Sequence, residues 1–598
     1  MTNKTLLYRV TPHDPSGHRL SIRLQIDAPD PQGQVLFLPA WIPGSYLIRD
    51  FSRQIESIQA HHNEQTVTLH KIDNHRWKCA PCNGPLTISY VVYAWDLSVR
   101  GAHFDESHAF LNGTSIFLGV EGQTQMPCLV EYCPPPHTDT WKVYTSLPEA
   151  TGHPDAAKRH GFGMYQAPDY DALLDHPVEM GTPQVIHFDA CGVPHEMVFT
   201  GVAPNVDLER IATDTKKICE AQIALFEPET KTVPFLDSSD RYVFMTMVTG
   251  NDYGGLEHRA STALMIGRDK LPVTGQTPGP GYQDFLGLIS HEYFHTWNVK
   301  RIKPQAFAPY RYTEENFTRL LWVFEGFTSY YDDAMLARSG VISQQAYLDR
   351  LGKVISHVRR GAGRLKQSVA DSSFDAWTRF YKQDENSPNA LVSYYTKGAL
   401  VALGLDITLR QSTNGERSLD DVMRLLWQRY GKSFYQDMDN QSHLQGVAEE
   451  GMPALIQEAT GVDVGDFIEQ YAYKPQDIPL ETLLAHDNIQ LTWETDPTDN
   501  RLDVRLRNDA DRCVIATVHE HGVAHDAGLS AGDEIVAVGG LRVHSAKALK
   551  QQLRYWQAGD TVELHVFRRD ELRCFAVTLK APEATVGKLS PATPATNE

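Results

Sequence analysis

The sequence feature that most constrains this chain is a His-Glu-x-x-His pattern, His291 to His295, in a segment with helical periodicity. Apolar residues recur there at spacings that bury one side of a helix, and no proline occurs from 282 to 302. Residues four apart project from one helix face, so both imidazoles can bind one ion, with zinc as the expected metal. Glu292 could then take a proton from a metal-activated water. In a chain with 25 histidines the pattern alone does not exclude a chance match.

Length and charge limit the classes of protein that fit. A chain of 598 residues exceeds what one hydrophobic core serves, so several domains are expected. The composition, 41% apolar and 22% charged, is typical of soluble globular proteins. A net charge of -20 predicts neither nucleic acid nor an anionic membrane as partner. The first ten residues lack the features of a secretory signal, which favours a cytoplasmic location.

The eight cysteines do not predict a disulfide framework in a chain of this length. Cys79 and Cys82, followed by Cys128 and Cys133, offer a weak case for a second, structural zinc, because the second pair has four intervening residues. Free, buried thiols are the expectation.

Periodicity divides the chain into segments of different character. Residues 1–180 alternate apolar and polar residues in short runs, which predicts an antiparallel β-domain. Mixed α/β patterns cover 181–312, helical patterns 313–482, and short strands 483–582. The remainder, 583–598, is rich in Pro, Ala and Thr and is predicted to be disordered. The predicted fold class is therefore multidomain α+β.

A catalytic zinc takes three protein ligands, so a third is needed. Asn298 and Arg301 stand where a longer motif would have Gly and His, which excludes that class of site. Of the acidic candidates Glu314, Glu315 and Glu325, counting favours Glu314, since 18 residues (296–313) separate it from His295, as in aminopeptidase-N-like enzymes. Context favours Glu325, because an unpaired carboxylate in an apolar segment is costly and a metal compensates it. We predict Glu325.

Four segments together resemble the glycyl aminopeptidase family of gluzincin metallopeptidases. They are the block 291–304, the Trp-Val-Phe-Glu-Gly-Phe run around Glu325, the Trp-Ile-Pro-Gly-Ser-Tyr segment 41–46, and a PDZ-like Ala-Gly-Leu-x-x-Gly-Asp-Glu-Ile run at 527–535. The resemblance implies an N-terminal β-domain, a thermolysin-like catalytic domain with a helical lobe, and a PDZ domain. It also implies one zinc ion per chain and removal of N-terminal residues, notably Gly and Ala, from peptides with a free N-terminus. From its composition alone, segment 41–46 is better explained as a structured turn than as a binding site.

Two further residues are assigned by this resemblance. Tyr395, in Tyr-Thr-Lys-Gly-Ala, matches a tyrosine that donates a hydrogen bond to the developing oxyanion in related aminopeptidases. Glu257, in Gly-Gly-Leu-Glu-His, matches a glutamate that binds the substrate's free α-amine, although Leu256 and His258 depart from the family's Met and Asn. The structural alternatives are a packed aromatic for Tyr395 and a solvated loop carboxylate for Glu257.

The sequence therefore predicts a zinc aminopeptidase with Glu292 as general base. Two alternatives stay open: a zinc endopeptidase whose PDZ-like domain presents substrates, and a non-catalytic peptide-binding protein with a structural metal. The PDZ-like segment is as well explained as a packing or oligomerisation module as by peptide capture, because 507–513 lacks a carboxylate-binding loop and carries two aspartates. A homo-oligomer is thus left open.

Overall fold

The computed structural model describes residues 5–436, 445–496, 501–507 and 511–592. The chain divides into two compact units. The first comprises Met1–Phe317, Tyr331–Ile342 and Met423–Gly451, and the second Thr318–Tyr330, Ser343–Val422 and Met452–Glu598. Among the described residues, no helix combines the length and apolar character needed to cross a bilayer. The cytoplasmic location stays a prediction.

The first part of the chain forms largely antiparallel sheets around a shared core, as its alternation predicts, although Leu6–Asp14 and Cys128–Tyr132 pair in parallel. In strand Leu6–Asp14, for example, Leu6, Tyr8 and Val10 are buried and the residues between them face outward. The seven-stranded sheet has the order Gly163–Ala167, Cys128–Tyr132, Leu6–Asp14, Arg19–Ile26, Leu86–Tyr93, Ile55–His62 and Gln65–Val67. The two four-stranded sheets are Lys142–Tyr144, Val178–Gly181, His108–Leu111, Ala102–Phe104, and Gly119–Val120, Val35–Phe37, Arg76–Cys79, Leu69–Lys71.

A mixed five-stranded sheet carries the site region of the first unit. Its order is Gln184–Ala190, Val193–Thr200, Tyr242–Thr249, Ser261–Gly267 and Tyr253–Glu257. Tyr253–Glu257, here called the edge strand, runs antiparallel to Ser261–Gly267 at the end of the sheet. Helices Leu208–Phe226 and Pro280–Phe294 follow as the apolar spacing predicts, and Pro280–Phe294 is here called the motif helix. Short helices lie at Gly113–Ile116 and Tyr170–Leu174.

The middle of the chain is helical. Its helices are Leu321–Phe324, Gly326–Arg338, Gln344–Arg360, Val369–Phe374, Ser387–Ala390, Thr396–Ser412, Leu419–Leu426, Met452–Thr460, Gly465–Tyr471 and Leu480–His486. They lie within or begin in the segment 313–482 for which the sequence predicts helices, and Gln344–Arg360 buries Leu348, Leu351 and Ile355 on one face.

The PDZ-like region has its own hydrophobic core. It contains the pair Val504–Leu506 and Ile515–Val518, the sheet Leu541–Arg542, Glu534–Val538, Thr561–Arg568 and Glu571–Thr578, and the helices Val523–Ala527 and Ala546–Leu553. The side chain of Asn389 donates to the carbonyl of Val518 (2.9 Å) and accepts from the backbone amide of Glu520 (3.0 Å). These bonds dock the end of strand Ile515–Val518 onto the helical part of the same unit.

The predicted disorder of the tail 583–598 is wrong over Ala584–Pro591, which forms a strand paired with Ile489–Thr495. This strand packs on helix Gln344–Arg360, where the amide of Gly587 donates to Ser356 Oγ at 2.9 Å and Leu589 is buried. A Cβ on Gly352 would lie 2.8 Å from the Gly587 carbonyl oxygen, so glycine permits the close approach. The composition of the tail does not predict this strand, because the strand is stabilised by Ile489–Thr495 and Gln344–Arg360, which are distant in sequence. Residues 593–598 lie outside the described residues.

Candidate active site

The motif helix holds both histidines in helical geometry. Proline at its first position suits the helix start, and the helix ends at Phe294 with His295 as its C-cap (φ -60°, ψ -18°). Gln222 donates to the carbonyl of Ser290 at 2.8 Å, and Ser290 Oγ donates to the carbonyl of Asp332 at 2.8 Å. The end of the helix that carries the pattern is therefore fixed on two sides.

The two imidazoles converge through their Nε2 atoms, which lie 3.0 Å apart. His295 Nδ1 lies 2.7 Å from the carbonyl oxygen of Asn298, which can only accept, so the proton of this ring sits on Nδ1. His291 Nδ1 lies 3.1 Å from Asp332 Oδ2. Two nitrogens of a tetrahedral zinc site are about 3.3 Å apart. The pair therefore fits a zinc ion, and both outer nitrogens have the orienting partners typical of metal-bound histidines.

Glu292 is 5% exposed and lies against the edge strand. A Cβ on Gly255 would fall 2.1 Å from Glu292 Oε1, so only glycine leaves room for this carboxylate. Carboxylate oxygens of Glu292 and Glu257 lie within 4.8 Å of each other and of a ring nitrogen of His295. Three of the predicted residues are thus brought together within the first unit.

Glu257 ends the edge strand and is 3% exposed, so it is not a solvated loop carboxylate. Its Oε1 is buried and has no hydrogen-bond partner among the described residues. Gly44 (φ +90°) lies against this carboxylate: a Cβ there would be 2.4 Å from Oε2 and 2.6 Å from Oε1. Segment 41–46 does form a turn, closed between Ile42 and Ser45, but it also borders the predicted amine-binding residue.

A buried ionic cluster fixes the backbone beside Glu257. Asp175 accepts from His258 Nδ1 (3.0 Å) and Arg259 Nε (3.1 Å) and pairs with Lys300 Nζ (2.8 Å). Burial raises the pKa of Asp175, but Lys300, His258 and Arg259 outweigh it and hold that pKa well below its ordinary value. Asp175 therefore binds both His258, which departs from the family pattern, and Lys300, which belongs to block 291–304.

The structure also gives the surroundings of the alternative ligand positions. Arg301, where the longer motif would place a histidine, is fully buried and pairs with Asp237 at 2.5 Å. Glu314 pairs with Arg311 at 2.8 Å and its side chain is 60% exposed. The polar residues 312–316, which include Glu314 and Glu315, are typical of a solvated helix start, but no helix begins there; the next helix along the chain is Leu321–Phe324.

In the second unit, Glu325 is 2% exposed and separates helices Leu321–Phe324 and Gly326–Arg338. The next residue, Gly326, contacts Gly398 backbone to backbone: a Cβ on either glycine would lie 2.7–2.9 Å from the other's Cα. This contact joins the Glu-Gly-Phe run of Glu325 to the Lys-Gly-Ala run that follows Tyr395. Both motifs therefore require glycine for the same reason, since a side chain at either position would prevent this close backbone contact.

Tyr395 directly precedes helix Thr396–Ser412. Its hydroxyl lies 3.3 Å from that of Tyr381, and its ring stacks on those of Phe380 and Tyr394. Lys397 Nζ donates to the carbonyl of Arg364 at 2.8 Å, which ties the start of the helix to the preceding segment. The tyrosine is held by packing while its hydroxyl lies beside another hydroxyl.

Sequence reasoning missed Asp332, Gly255 and Gly44. Asp332 comes from a helix more than thirty residues beyond the pattern and belongs to no motif. Gly255 lies within the Gly-Gly-Leu-Glu-His run and Gly44 within segment 41–46. A glycine in each motif was the only sequence signal that another group approaches the backbone closely there. Neither glycine reveals from sequence which side chain it accommodates.

Comparisons with known proteins bear on the whole chain. Residues 7–182 match the peptidase M61 N-terminal domain, 284–401 the M61 glycyl aminopeptidase, and 501–579 a PDZ domain. The crystal structure of an aminopeptidase N family protein from Idiomarina loihiensis is 40% identical, with a TM-score of 0.91 and 98% of each chain covered. An M1 zinc metallopeptidase from Deinococcus radiodurans is 12% identical, with a TM-score of 0.46 over 80% of this chain and 95% of that one. Comparison with curated proteins gives no match.

The match at 40% identity extends over nearly the full length, and the profile matches cover the N-terminal, catalytic and PDZ segments. The predicted family and fold class are thereby confirmed. The chain is a metallopeptidase that belongs to the M61 glycyl aminopeptidase family.

Proposed function

We propose that this protein is a zinc-dependent aminopeptidase that hydrolyses the first peptide bond of peptides with a free N-terminus, with Gly or Ala as the preferred first residue. The observation that carries the proposal is the convergence of His291 and His295 at 3.0 Å, with two buried carboxylates, Glu292 and Glu257, beside them. A structural metal site would need neither carboxylate.

The metal ligands in this proposal are His291, His295 and Glu325, holding one zinc ion. Glu325 is supported by its burial, because a buried carboxylate is costly unless a cation compensates it, whereas Glu314 is exposed and paired with Arg311. When bound, zinc supplies Lewis acidity, which polarises a carbonyl and lowers the pKa of a water.

Glu292 serves as general base and then general acid. Its carboxylate takes a proton from the attacking water and later delivers it to the leaving amine. Gly255 leaves the space in which this carboxylate can lie, and the fixed end of the motif helix holds its backbone. Tyr395 donates a hydrogen bond from its hydroxyl to the oxygen on which negative charge develops.

Glu257 selects the free N-terminus. Its buried Oε1, which has no hydrogen-bond partner in the part of the chain that the structure describes, is stabilised by a substrate ammonium group and left unsatisfied by an internal peptide bond or an acetylated amine. The proposed preference for a small first residue, Gly or Ala, is based on the family resemblance.

The test combines metal analysis with turnover of glycyl and alanyl anilides, free and N-acetylated, before and after chelation. We expect one zinc ion at the His291 site, activity lost on chelation and restored by zinc, and no turnover of the acetylated substrates. Equal turnover of free and blocked substrates would favour the endopeptidase alternative. Activity that persists without metal would overturn the proposal.

A further inference from the structure

Three potential metal ligands lie together on a β-hairpin of the N-terminal β-domain. The hairpin pairs strands Ala102–Phe104 and His108–Leu111, and His103, Asp105 and His108 each offer one ligand atom within 4.8 Å of the others. We propose that this hairpin binds a second transition-metal ion of the zinc class, additional to the ion predicted at the motif helix. Imidazole and carboxylate are ligands that such ions take in proteins.

The Asp105 carboxylate is oriented before any ion arrives. Its Oδ1 accepts three hydrogen bonds from the turn: from the Ser107 amide (2.7 Å), the Ser107 hydroxyl (2.6 Å) and the His108 amide (3.1 Å). The turn thus occupies one oxygen, and Oδ2 lies 3.2 Å from His103 Nε2. Adjacent ligands of a tetrahedral zinc ion are about 3.3 Å apart, so this separation suits a shared metal.

His108 has the orienting partner of a metal-bound histidine. Its Nδ1 lies 3.1 Å from Glu179 Oε1, which also accepts from the hydroxyl of Thr200 at 2.7 Å. A carboxylate on one ring nitrogen fixes the tautomer and directs the other nitrogen to the ion. Glu179 is 2% exposed, and with Asp105 it provides negative charge to offset a cation.

His103 completes the set. Its side chain is 5% exposed, and its Nδ1 has no hydrogen-bond partner among the described residues. The Asp105 side chain is 21% exposed, so an ion can reach the cluster from solvent. In the competing explanation, the His103 to Asp105 contact is only a hydrogen bond that stabilises the turn.

The experiment measures zinc bound per full-length chain by equilibrium dialysis and elemental analysis, with Co²⁺ absorption spectra as a second readout. We expect two ions for the wild type and one for Asp105→Asn or His108→Gln. Asparagine keeps an oxygen for the three turn bonds and removes the charge, and His108→Gln provides a second variant if one misfolds. Both variants should retain aminopeptidase activity. His62→Gln is the matched control, since His62 ends strand Ile55–His62 and its Nδ1 contacts the carbonyl of Pro85 rather than the hairpin, and it should still bind two ions.

The two metal proposals are separated by His291→Gln, which removes a ligand of the motif-helix site only. Retention of one ion by this variant, and its loss in the double variant with Asp105→Asn, would support the hairpin site even if the motif-helix site proved different from the proposal. A zinc content or Co²⁺ spectrum that Asp105→Asn and His108→Gln leave unchanged would overturn the hairpin site.

Discussion

Glu292 and Glu257 are two buried carboxylates near His295 that differ in how their surroundings are built. Glu292 lies on the motif helix, between the two histidines in sequence, and its space is provided by Gly255 of the edge strand. Glu257 lies on the edge strand itself, and its space is provided by Gly44, more than two hundred residues earlier in the chain.

The residues proposed for the chemistry are therefore close together in sequence, whereas those proposed for selectivity are far apart in sequence. The proposed base Glu292 and the two histidines lie within five consecutive residues, 291–295, so helix geometry alone brings them together. The proposed amine site, by contrast, combines Glu257 of the five-stranded sheet with Gly44 of the N-terminal β-domain. Variants on the two sides should therefore change different kinetic constants.

The largest effect is expected for Glu292→Gln, which removes the proposed general base and keeps the shape of the side chain. Loss of proton transfer should lower kcat by about 10²–10⁴-fold with zinc content unchanged. Steady-state kinetics and metal analysis measure the two effects. A Gln variant with nearly normal kcat would assign the base elsewhere.

Tyr395→Phe tests the proposed oxyanion donor. Loss of one oxyanion donor should lower kcat by roughly 10²–10³-fold, with little change in KM. Tyr381→Phe is the matched control, because it removes the neighbouring hydroxyl and leaves that of Tyr395. If Tyr381→Phe proved the more damaging change, the neighbouring tyrosine would be the donor.

Gly255→Ala tests the space reserved for Glu292. The added methyl would lie 2.1 Å from Glu292 Oε1 and must displace the carboxylate, so a loss on the order of 10²-fold in kcat is expected. Gly254→Ala is the matched control, since a Cβ at Gly254 meets nothing within 4 Å. Equal activity of the two alanine variants would show that the carboxylate is not confined there.

Asp332→Asn tests the support of His291. An amide can keep the hydrogen bond to Nδ1 but lacks the negative charge, so zinc affinity should fall by roughly 10–100-fold. Competition with a chromophoric chelator measures this affinity, and saturating zinc should restore most of the activity. Undiminished affinity would mean that Asp332 does not act through His291.

Short-range features were the most predictable from sequence. Helical periodicity placed the motif helix, and alternation placed the N-terminal β-domain, because both depend on neighbouring residues. The strand Ala584–Pro591 was missed, because its stability comes from pairing with 489–495 and packing on 344–360. Asp332 and Gly44 were missed for the same reason. The burial of Lys300 and Arg301, two consecutive cations, depends on Asp175 and Asp237 from distant segments.

The most direct test of the central claim, the proposal that Glu257 recognises the free N-terminus beside the proposed general base Glu292, is the ratio of kcat/KM for a glycyl peptide and its N-acetylated form. In the wild type this ratio should be large. Glu257→Gln should reduce it by about 10–100-fold, mainly by raising KM for the free peptide, because the charged hydrogen bond to the ammonium is lost. A ratio unchanged in Glu257→Gln, with zinc still bound, would contradict the account.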